Sequence, residues 1–238
     1  MPIYIQGVVG GPFSGANLLT SLDSFDYTAT NVNGVTRNVT HLLYSFISPY
    51  VVDQSGFVTA SVDADPATSG PNNFDKLDEI RFVGSGDGLF ILDGFIRKNA
   101  NKPRKRGTVY IKHPFSPNRI GLVYRVDGLL NRGNPLLHKF SAHSNTPTLN
   151  TDLKYINLLP NQLAVGVLAI AHHTVDDPVS IPPEWTQEAD VKLPADDGNG
   201  IRLIIASKKV TKRTKLQFLW NLGNPHEWAT MCQVFSGF

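Results

Sequence analysis

The sequence predicts an all-β protein, a jelly-roll-like β-sandwich built from two related halves. Short apolar runs of strand composition recur along the chain, each bounded by turn residues. No segment carries a persuasive helical period, and one series of features runs through the chain twice. With 238 residues, 41% hydrophobic and 18% charged, the chain is long enough to bury a sizeable core and too apolar for disorder throughout. Gly 20 and Pro 16 suit a fold of many turns.

The expected strands follow in chain order. "HLLYSFI" (His41 to Ile47), "GLFILDGFI" (Gly88 to Ile96), "GTVYIKH" (Gly107 to His113) and "RIGLVYRV" (Arg119 to Val126) are rich in β-branched and aromatic residues. In the last, Ile120, Leu122, Tyr124 and Val126 alternate with a mixed face, as in a half-buried strand. "QLAVGVLAIAHH" (Gln162 to His173) is apolar on both faces over most of its length, which predicts a central strand covered on both sides. "IRLIIAS" (Ile201 to Ser207), "LQFLWNL" (Leu216 to Leu222) and "WATMCQVF" (Trp228 to Phe235) complete the set. "NFDKLDEI" (Asn73 to Ile80) is expected to form one short helical turn at most.

The repeat aligns "PNNFDKLDEIRFVGSGDGLFIL" (Pro71 to Leu92) with "PPEWTQEADVKLPADDGNGIRLII" (Pro182 to Ile205). Phe74 meets Trp185, and Ile80-Arg81-Phe82 meets Val191-Lys192-Leu193. With one inserted residue, Gly86-Asp87-Gly88 meets Gly198-Asn199-Gly200. Upstream, "HLLYSFI" matches "QLAVGVL"; downstream, "RIGLVYRVDG" matches "EWATMCQVFS", with Val126 on Val234. The halves divide near residues 129–135, so repeat one is about 1–130 and repeat two about 131–238. The short, partly apolar connection argues for one compact double-layer domain. In each repeat the prolines end a strand and turn the chain, and Phe74 or Trp185 then plugs the edge of its own half's core.

The second half, from about residue 137 onward, resembles a pattern found in virion proteins of tailed bacteriophages. An apolar strand follows a Pro-containing turn, here Leu159-Pro160-Asn161-Gln162. Pro-Pro-x-Trp-Thr follows, here Pro182, Pro183, Trp185 and Thr186. A strand after a Gly comes next, and then a strand entered by Trp, here Trp228, ending near Gly237. Where the pattern has Gly before the first Trp, this chain has Glu184. The resemblance implies a sandwich module of a tail, fibre, neck or head decoration, in which Phe74, Pro182, Pro183, Trp185 and Trp228 are structural anchors. It implies a virion protein assembled in the host cytoplasm, bound to other virion proteins and repeated in a homo-oligomer. It carries no catalytic chemistry.

No catalytic, cofactor or metal site is expected from the residues. In "AHHTVDDP", adjacent His172 and His173 point to opposite faces of a strand, so they and Asp176 and Asp177 lack the geometry for one ion. "GSGDG" runs from strand to strand rather than strand to helix, which predicts a hairpin turn and not a phosphate loop. "ADDGNG" lacks the full ligand spacing of a calcium loop, and His226-Glu227 in "NPHEW" is expected in a turn before a strand. The carboxylates are scattered, so no glycosidase pair stands out, and the chain is read as a binding protein rather than an enzyme. The single Cys, Cys232, permits no intramolecular disulfide, as suits assembly in a reducing compartment. Apolar runs reach only about ten residues, too short to span a bilayer, and the N-terminus makes a poor signal peptide.

Net charge is +2, yet eleven of the 22 Lys and Arg lie in two windows at equivalent places in the repeat. The first holds Arg97, Lys98, Lys102, Arg104, Lys105 and Arg106; the second holds Lys208, Lys209, Lys212, Arg213 and Lys215. Each is expected in a hairpin loop and its flanks. One reading is a solvated loop that guards strand edges. The other is a docking site for an acidic virion subunit or a phosphate-bearing host-surface polysaccharide; sparse aromatics disfavour nucleic acid. Tyr50, Phe115 and Trp220 are the aromatic candidates for a carbohydrate platform.

Overall fold

The computed structural model describes residues 4–14, 21–28, 40–49, 59–62, 75–85, 88–97, 106–113, 118–127, 135–171, 176–194 and 200–237. Half one contributes β1 (Tyr4–Ser14), β2 (Ser21–Thr28), β3 (Thr40–Pro49), β4 (Thr59–Val62), β5 (Asp75–Val83), β6 (Leu89–Arg97), β7 (Arg106–His113) and β8 (Asn118–Asp127). Half two contributes β9 (Leu136–Asn150), β10 (Lys154–Leu158), β11 (Gln162–Ala171), β12 (Val179–Ser180), β13 (Thr186–Leu193), β14 (Ile201–Lys209), β15 (Thr214–Phe218) and β16 (Asn221–Ser236). All pairings among the described strands are antiparallel, and the fold is an all-β sandwich.

The repeat holds strand for strand. Half one has a large sheet in the order β1-β8-β3-β6-β5, and half two has the same order in β9-β16-β11-β14-β13. The small sheets correspond too: β2-β7-β4 in one half, β10-β15 in the other. In half two β12 pairs with the opening residues of β16, Val179 with Leu222 and Ser180 with Asn221, which take the place that the end of β7 has beside β4. Even an irregularity is repeated. A β-bulge falls at Leu77 between Lys76 and Asp78, and at Glu188 between Gln187 and Ala189. That places Ile80 on Val191, as the sequence predicts.

The ladders also correct the alignment. Ile80 faces Leu92 and Val191 faces Leu203, so no residue is inserted between these strands. Leu92 faces Ile47 and Leu203 faces Ala169, which puts His41 on Leu163 rather than on Gln162. Leu43 faces Tyr124 and Val165 faces Gln233, which puts Val126 on Phe235 rather than on Val234. A one-residue slip exchanges the faces of a strand. β11 is buried on both faces, so its composition gives no signal to fix the register.

Other expectations need correction. "NFDKLDEI" forms no helical turn over its described residues: β5 begins at Asp75. "LQFLWNL" is not one strand, because β15 ends at Phe218 and Asn221 opens β16. Trp228 and His226 lie inside β16, although the ladder between β11 and β16 does begin at Trp228. Neither basic window is a hairpin loop. β6 and β7 belong to different sheets, as do β14 and β15, so each window is a crossover from a large sheet to a small one.

The main core lies between the two large sheets, and both halves fill it. Leu43, Ile47 and Leu122 of half one meet Val165, Leu203 and Met231 of half two in one buried cluster. A Cβ added at Gly94 of β6 meets Met231 Sδ at 2.8 Å, so the sheets are packed at contact distance there. At one border β5 runs beside β9, and at the other β1 runs beside β13, the same relation carried over by the repeat. Asn145 of β9 accepts a hydrogen bond from the Val83 amide at 2.9 Å, and Lys139 donates to the Leu77 carbonyl at 2.7 Å.

Candidate functional site

The outer face of half two is built on its second core. β10 and β15 alternate in step: Ile156, Leu158, Leu216 and Phe218 point inward, while Tyr155, Asn157, Lys215 and Gln217 are exposed. Beneath them, Phe218 packs against Phe140 at 5.0 Å, Trp185 at 5.2 Å and Trp220 at 5.9 Å between ring centroids. Gly166 of β11 lies under this cluster because a Cβ there would come within 2.4 Å of the Phe218 ring. Trp220 Nε1 donates to Thr230 Oγ1, which donates to the Val167 carbonyl. Trp228 Nε1 donates to Thr148 at 2.7 Å. Trp220 is fully buried, which removes it as a carbohydrate platform. Trp185 is buried as an anchor in this core, and so is Trp228.

The Pro-Pro stretch shows why it takes its form. The Trp185 amide donates to the Pro182 carbonyl at 3.1 Å, closing a turn whose central residues are Pro183 and Glu184. Glu184 has φ 66°, so it occupies the left-handed region. Proline followed by a positive φ is the pattern of a type II turn, where glycine is the favoured third residue. Glu184 thus stands where such a turn favours glycine. The turn Leu159-Pro160-Asn161-Gln162 repeats the design: the Gln162 amide donates to Leu159, and Asn161 has φ 64°. Pro182 is buried and Pro183 exposed.

Most of the second basic window lies at this face, while Lys209, at the end of β14, falls on the opposite face with Leu203 and Ile205. Lys208 is tied down, its ammonium on the Glu184 carbonyl and 3.5 Å from the Glu184 carboxylate. Lys215 Nζ sits 4.3 Å from the centroid of the Tyr155 ring, a cation–π contact. Lys209, Lys212 and Arg213 are exposed and make no ion pair with any described residue, and the same holds for Lys154 of β10. Several described cations elsewhere are engaged: Lys76 with Asp93 and Glu79, Lys139 with Asp78, Lys192 with Asp176, and Arg202 with Asp190.

The chain leading into and out of β10 is also apolar on its exposed side. Among the described residues five large hydrophobic side chains are exposed, and four lie within one short segment: Leu149 (54%), Leu153 (45%), Tyr155 (54%) and Leu159 (43%). The sequence reading missed this group. Its signal was the alternation in "KYINL", where Tyr155 and Asn157 fall opposite in face to Ile156 and Leu158.

Of the first window, Arg97 ends β6 and Arg106 opens β7; Lys98, Lys102, Arg104 and Lys105 lie outside the described residues. So do Phe74, Tyr50, Phe115, His172 and His173. The Gly84 amide donates to the Gly88 carbonyl between paired strands, so "GSGDG" is the hairpin turn expected. Asp177 and His226 do meet, with His226 Nε2 3.3 Å from Asp177 Oδ2. The Asp177 carbonyl also accepts from Arg202, whose guanidinium holds Asp190 at 2.6 and 2.8 Å. Among the described residues no cluster of His, Cys, Asp or Glu is arranged to hold a metal.

Half one buries a carboxylate. Asp93 of β6 has no exposed surface, and Lys76 Nζ stands 2.9 Å from its Oδ1. Burial pushes its carboxyl up from 3.8 to about 7, against the opposing pull of Lys76.

Comparison with protein-family models gives no match for this chain, and comparison with curated proteins finds no similar sequence.

Proposed function

We propose that this chain is a structural protein of a tailed-bacteriophage virion that works by binding neighbouring subunits through the outer face of half two. The observation that carries this reading is the concentration there of unpaired cations and exposed apolar side chains, on a rigid duplicated scaffold. The Pro-Pro-x-Trp-Thr pattern supports the virion assignment, with Trp185 in a buried anchoring role. The strand order first-eighth-third-sixth, beside a small sheet of second-seventh-fourth, supports the jelly-roll-like part of the reading. Symmetric repetition in a tail, fibre, neck or head decoration fits a protein of this kind. The test is quantitative mass spectrometry of purified particles: a fixed copy number per particle is expected, and absence of the chain refutes the reading.

The exposed Tyr155, flanked by Asn157, Lys215 and Gln217, favours a second reading. An aromatic ring among amide and cationic side chains suits an adhesin for host-surface polysaccharide. A glycan array with the intact chain separates the two, since specific glycan binding that Tyr155→Ala removes requires the adhesin.

A further inference from the structure

We infer that the open edge of β10 takes up an extended, acidic segment of another protein chain as an added strand. This rests on the reading that half two binds protein partners, and it specifies the chemistry. Among the described residues β10 pairs only with β15, so no described strand lies beside its other edge. An edge strand offers its backbone amides and carbonyls to an incoming chain. Leu153 directly precedes β10, Tyr155 lies on its outer face beside Asn157, and Leu159 directly follows it, so exposed apolar side chains stand at both ends and on the outer face. Lys154, Lys212 and Arg213 supply positive charge that no described residue neutralises. The complementary ligand alternates carboxylate and aliphatic side chains.

Charge argues against a second copy as the occupant. Two β10 edges meeting antiparallel bring the cations of one copy against those of the other, which is unfavourable. The one aromatic ring at this edge, Tyr155, already carries Lys215 against it, and the leucines offer no stacking surface to nucleic-acid bases. The unpaired strand edge, rather than a merely apolar patch, favours a peptide over an anionic lipid surface.

The test measures fluorescence anisotropy of a fluorescein-labelled Glu-Val decamer titrated with the full chain. The decamer is expected to bind, and a Lys-Val decamer to bind about tenfold more weakly or worse. Methylating alternate backbone nitrogens of the Glu-Val peptide removes the strand hydrogen bonds and is expected to abolish binding. Leu153→Ser combined with Tyr155→Ser is expected to weaken binding about tenfold or more. Its thermal midpoint should be unchanged, because both side chains are exposed. Several outcomes overturn the inference: no binding of the Glu-Val peptide; equal binding of a Glu-Ser or an N-methylated peptide; insensitivity to the double substitution; a Leu153-dependent dimer in sedimentation; or binding of phosphatidylglycerol vesicles in place of the peptide. A chain present in particles that fails these tests loses the β10 site and keeps the virion assignment. A chain that passes them but is absent from particles keeps the site and loses the assignment.

Discussion

Replacing Asp93 with Asn should flatten the dependence of stability on pH. Asp93 sits on β6 opposite Phe46 of β3 and Glu79 of β5, and the repeat gives half two Ile204 at this position. Burial is the main cause of its raised pKa. Lys76 at 2.9 Å opposes it, Glu79 adds to it, and Arg81 opposes it weakly. A carboxyl that moves from 3.8 in the unfolded chain to about 7 when folded binds its proton more tightly in the native state. Stability from this group therefore falls as pH rises from about 4 to about 7 and is level above that. Between pH 5 and 8 the loss integrates to about 3 kcal/mol. Glu79 is held below its ordinary value by its bonds to Lys76 and Arg81, against the effect of burial, so its contribution changes only below that window. Lys76 is held above 10.5 by Asp93 and Glu79, despite burial, so its contribution changes only at higher pH. The assay is urea unfolding followed by tryptophan fluorescence at pH 5, 6, 7 and 8. The native chain should lose stability across the series relative to Asp93→Asn. Parallel curves for the two proteins would refute the assignment of a raised carboxyl in half one.

Two further substitutions test the Pro-Pro turn and the core it leads into. Trp185→Ala should cost about 3–5 kcal/mol in urea unfolding, as truncation of a buried aromatic does; an unchanged midpoint is incompatible with its packing on Phe218. Glu184→Gly should shift stability by no more than about 1 kcal/mol. Relief of the left-handed backbone is offset by the greater freedom of glycine in the unfolded chain and by loss of a weak, exposed ion pair. A large loss in thermal unfolding contradicts the turn geometry.

The repeat was legible because its features keep their order: a Pro-led turn, an aromatic anchor, a strand, a glycine hairpin and a basic crossover. Its register was less legible, since Leu163 to Ala171 are apolar on both faces and tolerate a one-residue slip unseen. β9 escaped notice for another reason. It borders its sheet, and only Leu136, Phe140, Ala142, Ser144 and Thr148 are half-buried, spaced among exposed residues that are mostly polar. The basic windows stood out as charge, but composition does not say which sheets a loop connects. Nor does it separate Lys208, fixed on Glu184, from Lys212 and Arg213, which are exposed and make no ion pair with a described residue. Trp220 looked like an available ring because a tryptophan in a short expected strand reads alike when exposed or buried; its hydrogen bond to Thr230 is a tertiary fact. Tyr155 was missed because its strand is only five residues long.

Amide hydrogen exchange of the chain in purified particles, compared with the free chain, tests the central claim most directly. The account predicts slowed exchange over residues 149–159, including β10, and over 210–217, with little change in the buried strands β11 and β14. Unchanged exchange there, with new protection confined to other surfaces, would contradict it.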